Sequence, residues 1–204
     1  MKNSKTTKFL GKRFNSKQTV ENIINVYLDA DKAAGNWYNE ANSFAAELAN
    51  EFLHDDINGH RKACGIVAAL SPLKQWSQNK VCAISFFETG DSKHTGVMCK
   101  KAKDILESDG SVESIADILN GDKIKSFFLN IYYPESSQCT TIDRHALCIA
   151  VGKVLKDSEI NISKKQYIFF DMCYRIAAEK IGTTPPKLQA ITWVHWRKVK
   201  KSRK

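Results

Sequence analysis

No run of 18 consecutive apolar residues occurs in the chain, so no helix is expected to span a membrane. The basic start, MKNSKTTKFLGKRF, is followed by no apolar stretch, which argues against a secretory signal and for a cytoplasmic or nucleus-like compartment. None of the six cysteines (64, 82, 99, 139, 148 and 173) pairs with another as C-x-x-C or with a nearby histidine at zinc-finger spacing, and a four-cysteine iron–sulfur pattern is missing too. A bound metal is therefore not expected, and in a reducing compartment the thiols serve as small hydrophobes. Internal repeats and low-complexity linkers are also missing. Acidic residues are in deficit: 22 Asp+Glu against 31 Lys+Arg leave a formal net charge of +9.

What is present is ordinary globular composition, 43% hydrophobic and 26% charged over 204 residues. A chain of this length can bury a sizeable core without disulfides or a structural metal, as one domain or as two small lobes. The positive charge gathers at both ends: Lys2, Lys5, Lys8, Lys12, Arg13 and Lys17 at the start, then Arg197, Lys198, Lys200, Lys201, Arg203 and Lys204. Basic tails of this kind suit a polyanion, most often nucleic acid; charge alone fits a solubilising surface with frayed ends equally well.

The apolar spacing predicts a chain that is almost all helix. Val20, Ile23, Ile24, Tyr27 and Leu28 repeat at helical intervals, and Trp37, Phe44, Leu48 and Phe52 mark a second helix. HDDING at 54–59 reads as a loop, and an Ala-rich segment from Arg61 to Leu70 reads as a buried helix stopped by Ser71-Pro72. Further helices are expected from Trp76 to Phe87, Val97 to Leu106, Val112 to Leu119, and Ile124 to Ile131, the last after an Asn120-Gly121-Asp122 turn. A polar loop, Pro134 to Thr140, leads to a helix opened by Asp143. Lys164 to Ile181 fits a helix, with Tyr167–Phe170 open to a strand instead, and Pro185-Pro186 starts a last helix. Short helices joined by tight turns make an all-α globule.

Two segments carry the chemistry. Leu119 to Ile131 reads as helix, glycine turn, helix, and Thr141-Ile-Asp-Arg-His-Ala146 puts an acidic residue at a helix start, 18 residues beyond Lys125. Singly, each has a plain role. Asp143 is a good helix N-cap, Lys125 a solvated helix lysine, and His145 a capping or packing residue. Trp76 suits a core position as well as a wedge into DNA. Gln189, Trp193 and Trp196 fit a core stripe as well as the wall of a base pocket.

Together the segments resemble the helix-hairpin-helix DNA glycosylase superfamily, in particular its endonuclease III-like, lysine-bearing branch. That branch has a hairpin L-P-G-x-G-x-K and, 18 residues after the lysine, the aspartate of V-D-x-H. Aligned without a gap, Leu119 and Gly121 meet the leucine and first glycine, Lys125 the Schiff-base lysine, and Ile142-Asp143-Arg144-His145 the V-D-x-H segment. Gly65-Ile-Val-Ala-Ala-Leu-Ser-Pro72 with Asn79 and Ala83 resembles the family's early helix, and Lys100 to Leu106 a later one. The similarity spans roughly residues 60–155. The combination also looks like small uncharacterised phage-encoded proteins. Asn120 stands where the family has proline and Lys123 where it has its second glycine, so the hairpin is expected to be remodelled. Leu73 or Lys74 takes the place of the early helix's glutamine.

The resemblance implies an all-α, two-lobed helix-hairpin-helix glycosylase-like fold with a central cleft, a single domain over 1–204. Residues 60–155 would form its core, with the hairpin at 119–131, and 1–59 and 156–204 the second lobe with its basic termini. It implies base excision repair in the cytoplasm of a prokaryotic or phage-infected cell, close to the nucleoid. The enzyme would be a monomeric glycosylase that removes a damaged or modified base flipped out of duplex DNA, with AP-lyase activity and no cofactor. Lys125 would be the nucleophile, Lys123 the alternative amine, and Asp143 the electrostatic and base partner. Attack needs a neutral amine, which burial or the cations Lys123 and Arg144 would favour. Gly121, Asp122, Lys123, Ser126 and Arg144 would contact the DNA backbone, and Ser71, Trp76, Asn79, Gln189 and Trp193 would line the base pocket. The alternatives are a non-catalytic helix-hairpin-helix DNA-binding protein and a monofunctional glycosylase that uses water.

Overall fold

The computed structural model describes residues 5–202, with side chains through Val199. Of the terminal cations, Lys2, Arg203 and Lys204 and the side chains of Lys200 and Lys201 lie outside the described residues. The fold is mostly helical. Strands β1 (Thr6–Phe9) and β2 (Lys12–Asn15) come first, followed by α1 (Ser16–Leu28), α2 (Trp37–Phe52), α3 (Gly59–Ala69), α4 (Trp76–Thr89) and α5 (Gly96–Glu107). Then come α6 (Val112–Leu119), α7 (Asp122–Tyr132), α8 (Arg144–Val151), α9 (Lys164–Ile181) and α10 (Pro185–Ser202), with short 3-10 turns at Lys32–Asn36 and Asp157–Glu159.

Two compact units share the chain. One holds residues 1–38 and 133–204, the other 39–132. In the second unit α3 is the central helix, packed by α5, α6 and α7. Its Ala-rich sequence lets neighbours come close: a Cβ on Gly65 would lie 2.7 Å from Ile115 and 3.3 Å from Ile105. Ile66, Leu70, Ile105, Ile115, Leu119, Phe128 and Ile131 are fully buried there. His60 sits half-buried beside them, edge-on to Tyr132 at 5.5 Å.

In the first unit α1, α8, α9 and α10 pack around Ile23, Leu147, Ile149, Phe170, Tyr174 and Leu188. The alternative strand at Tyr167–Phe170 is not formed. Ser163 caps α9 by accepting from the Gln166 N–H, and Tyr167, Phe170, Cys173, Tyr174, Ala177 and Ala178 then make one helical stripe facing the core. Burial pushes the Cys173 thiol up to about 12, which keeps it a neutral, inert hydrophobe.

The all-α expectation needs correction at the N-terminus. Residues read as a basic tail form an antiparallel ribbon, in register Thr6↔Asn15, Thr7↔Phe14, Lys8↔Arg13 and Phe9↔Lys12. The physical reason is aromatic anchorage. Phe9 is buried edge-on to Phe170 at 5.8 Å and packs against Phe14 at 6.0 Å. A two-residue turn closes the ribbon with Leu10 at φ 51° and Gly11 at φ 72°. Positive φ at both positions is the demand of a primed hairpin turn, which glycine meets and leucine resists.

Two outcomes follow from these packings. Leu10→Asn is expected to stabilise the protein by ~1 kcal/mol in a denaturant titration, because Asn-Gly suits this turn; a drop in the midpoint would contradict it. Burial holds the His60 pKa below its ordinary value of 6.5, against an opposing hydrogen bond to the Asn42 backbone. Below that ordinary value the unfolded chain binds the proton more readily than the folded one, so stability falls as the pH is lowered through it. Melting curves from about pH 7 to about pH 5 should show that loss, and His60→Gln should reduce it.

Candidate functional site

The first unit builds its site around one carboxylate. Asp143 ends the polar loop in extended conformation, φ −89° and ψ −177°, and caps α8. Its Oδ1 accepts the Ala146 N–H at 2.7 Å, the bond that satisfies an otherwise orphaned amide of the first helical turn. Its Oδ2 accepts the indole N–H of Trp193, on α10, at 3.0 Å and lies 3.4 Å from Nδ1 of His145. The Asp143 side chain remains 19% exposed.

The approach to Asp143 is held from behind. Thr140 and Thr141 are buried, so their backbone groups need partners inside the unit. The Thr140 N–H donates to Asp171 of α9 at 2.7 Å, and the Tyr167 hydroxyl donates to the Thr140 carbonyl at 2.9 Å. The same hydroxyl accepts the Ile142 N–H at 3.3 Å. Asp171 is itself neutralised by Arg175, one helical turn on, through Nε at 2.8 Å and Nη2. The buried Tyr38 hydroxyl lies 2.8 Å from Oε1 of Gln189 and 3.1 Å from Oγ1 of Thr141. Under α8, Tyr174 donates to the Ala146 carbonyl at 3.1 Å; burial, reinforced by the negative charge of Asp143, raises its pKa well above the usual tyrosine value.

Around the carboxylate the surface is aromatic. The Trp193 ring meets Trp37 edge-on at 5.7 Å and His145 at 6.1 Å, and the Arg197 guanidinium lies 4.6 Å from its centroid. A fixed carboxylate met by the edges of an indole and an imidazole can stabilise positive charge developing on a bound molecule and can accept a proton.

The second unit holds the helical hairpin. Helix α6 is capped by Ser111, whose Oγ accepts from the Ser114 N–H at 3.2 Å, and its last carbonyl, Leu119 O, accepts from Lys101. The turn is Asn120, at φ 47° and ψ 111°, and Gly121, at φ 117°. The hairpin is thus remodelled. The residue in the proline position has a φ that proline cannot reach, and Lys123, within α7, avoids positive φ. Ile115, Leu119, Phe128 and Ile131 bury the apolar faces, and the turn stays exposed. Lys125 is one-third exposed and faces the exposed Asp117 carboxylate at 3.8 Å, whereas Lys123 is exposed.

The structure brings some expected residues together and separates others. Asp143 and Trp193 are bonded, with Arg144 beside them on α8 paired to Asp157 at 2.5 Å. Gln189 is buried and bonded to Tyr38. Gly121, Asp122, Lys123, Lys125 and Ser126 sit together on the turn and α7 of the other unit, Ser126 buried. So do Ser71, Trp76 and Asn79 in their own region. Ser71 bonds back to Ala68, and buried Asn79 donates to Val67 at 3.2 Å, tying α4 to α3. Trp76 packs edge-on to Phe44 at 5.8 Å under the Lys80 ammonium.

Sequence reasoning missed Trp37, Tyr38, Tyr167 and Asp171 as parts of this site. Only Asp171 left a signal: a carboxylate inside the apolar run YIFFDMCY must be paired, and Arg175 stands four residues on. Among the described residues, no group of three or more His, Cys, Asp or Glu is placed to hold a metal ion. No helix among them is long and apolar enough to cross a membrane.

The match to known families runs from the first residue of β1 almost to the end of α10. The chain belongs to a family of unknown function (DUF7178), matched over residues 6–200. The matched segment therefore includes the ribbon, the hairpin and every residue around Asp143. No curated protein matches the chain. No solved structure matches it either.

Trp193→Phe keeps the ring but removes the donor to Asp143. A stability loss of about 1 kcal/mol is expected by denaturant titration, with near-native secondary structure. An unchanged midpoint would mean that water replaces the indole at no cost.

Proposed function

We propose that this protein is a DNA glycosylase of the helix-hairpin-helix type, bifunctional with AP-lyase activity, acting on a damaged or modified base flipped out of duplex DNA. The observation that carries the reading is the pairing of two local structures at the family's spacing. A helix–turn–helix hairpin bears Lys125 in its second helix, and a helix-capping aspartate, Asp143, follows 18 residues later.

The chemistry assigns each group a task. As the N-glycosidic bond breaks, its electron pair leaves with the base and positive charge builds at C1′, which the Asp143 carboxylate stabilises. The neutral Lys125 amine forms the new N–C1′ bond; the proton it releases passes to Asp143 and from there to the departing base. Opening of the sugar gives a Schiff base. Loss of a C2′ proton then expels the 3′ phosphate by β-elimination and cuts the strand, and water releases the amine. The ion pair between Lys125 and exposed Asp117 is of the weakly bound, solvent-screened kind, so Lys125 can leave it and give up a proton to solvent before it attacks. Exposed Lys123 and the amides at the start of α7 suit phosphate contacts. Capping and catalysis are compatible in Asp143, because a cap fixes the carboxylate without covering it.

A second reading, a non-catalytic helix-hairpin-helix DNA-binding protein, is favoured by one observation: both oxygens of Asp143 already accept hydrogen bonds from the protein.

Borohydride trapping separates the readings. Wild type, Lys125→Ala and Lys123→Ala are incubated with duplexes that carry an abasic site or one damaged or modified base. A covalent band lost only in Lys125→Ala is expected. Asp143→Asn, which preserves the cap, should lower base release by about 100-fold or more with DNA binding retained. Equal activity of Asp143→Asn and wild type overturns the mechanism. Base release without a trapped band assigns a monofunctional enzyme that uses water. Duplex binding with neither band nor base release assigns the binding-only protein.

A further inference from the structure

The β1–β2 ribbon carries a surface that the glycosylase reading does not use. Lys8 and Arg13 stand directly opposite each other across the ribbon, so two cations share one exposed face. Like charges in that position repel and destabilise a strand pair. Lys5 is exposed at the open end of the same ribbon, and Lys12, which stands opposite Phe9 and springs from the other face, is exposed beside the turn. A side-chain bond brings more charge beside them: the Gln166 amide nitrogen on α9 donates to the Lys8 carbonyl at 2.7 Å, which sets the first turn of α9, with exposed Lys164 and Lys165, against β1.

No acidic residue occurs in the first 20 positions. Elsewhere in the same unit some cations are paired: Arg144 with Asp157, Lys153 with Glu159, Arg175 with Asp171, and Lys187 with Glu135. Among the described residues, Lys5, Lys8, Lys12, Arg13, Lys164 and Lys165 take part in no ion pair. The ribbon itself is not loose, since Phe9 is buried against Phe170 and the Ser16 N–H bonds to the Lys5 carbonyl at 2.8 Å. The repulsion is thus built into an anchored element, where an anionic partner can relieve it.

We propose that the exposed face of the β1–β2 ribbon, with the first turn of α9, binds the phosphodiester backbone of duplex DNA. Regularly spaced phosphates match an anchored cationic ribbon, and a two-stranded ribbon is narrow enough to follow a groove of B-form DNA. Such contacts fix the position of the protein on the duplex and read no base. The inference rests on the DNA partner of the function proposed above, and it adds a contact made by residues that the proposed chemistry does not use.

The test is the salt dependence of binding to an undamaged duplex. The triple variant Lys8→Gln, Lys12→Gln, Arg13→Gln should bind more weakly. Its slope of log affinity against log salt should be shallower than that of wild type by about 2 to 3. Lys164→Gln with Lys165→Gln should reduce the slope by a further 1 to 2, roughly. Leu10→Asn, which alters the turn and not the charge, should keep the wild-type slope. A wild-type slope in the triple variant overturns the proposal. So does a loss of binding confined to single-stranded RNA of equal length or to phosphatidylserine vesicles. Should the triple variant unfold, acetylation of wild type decides: duplex DNA must protect Lys8 and Lys12, and unprotected lysines overturn the proposal. The two proposals fail separately. A reduced slope with no adduct or base release on any substrate removes the glycosylase and keeps the ribbon. Adduct formation with an unchanged slope removes the ribbon alone.

Discussion

Thr140 and Thr141 carry a piece of polar backbone into an apolar interior, and each of its amide groups must find a partner there. Asp171 and Tyr167 of α9 supply them at Thr140 and Ile142. Because those partners come from one helix, the strand of backbone is held in one conformation, and that conformation delivers Asp143 to the first turn of α8. Without it the cap, the bond from Trp193 and the placing of His145 would have no fixed origin. Asp171 is the costly member of the arrangement. Its charge is buried and is tolerated only because Arg175 and the Thr140 amide both engage it.

Asp143 illustrates how one side chain can serve structure and chemistry at once. An N-cap must present an acceptor at the start of a helix, and a group that stabilises a developing cation must present a fixed negative charge. The same geometry satisfies both, so a capping bond neither argues for catalysis nor against it. What sets this aspartate apart from an ordinary cap is its surroundings: two tryptophans, a histidine and an arginine gathered within ring-contact distance. The hairpin of the other unit shows the reverse case. Its helices are fixed by buried Leu119, Phe128 and Ile131, and its turn residues answer only to backbone sterics. An asparagine at positive φ can thus replace the proline of the pattern that the sequence resembles.

The positive charge divides in the same way. Elsewhere in the first unit Arg144, Lys153 and Lys187 answer nearby carboxylates, and such exposed pairs add little to stability. On the ribbon Lys8 and Arg13 face one another, and the aromatic anchors of the opposite face keep them there. Charge pattern and fold are decided by different residues, so the basic face is free to serve a partner.

Much of the helical order was legible in the sequence, because a helix announces itself through a period that local residues repeat. The ends of α2, α6 and α9 fall where the apolar spacing puts them. Leu119-Asn-Gly-Asp122 marked the hairpin turn, and Asp143 marked the start of α8. The ribbon was not legible. Its strands are four residues each and carry no run of apolar residues, and they are stable only because Phe9 finds Phe170 in a helix some 160 residues away. Tyr38, Tyr167 and Trp37 were equally silent, since an aromatic residue reads as core until its hydroxyl or ring edge is seen to meet a particular loop. The sequence by itself determined the helices, the turns, the caps and the sign of the charge, all properties of neighbours along the chain. Tertiary structure alone decided which donors face the Asp143 carboxylate and which cations go unpaired, because both depend on contacts between segments that sequence distance does not relate.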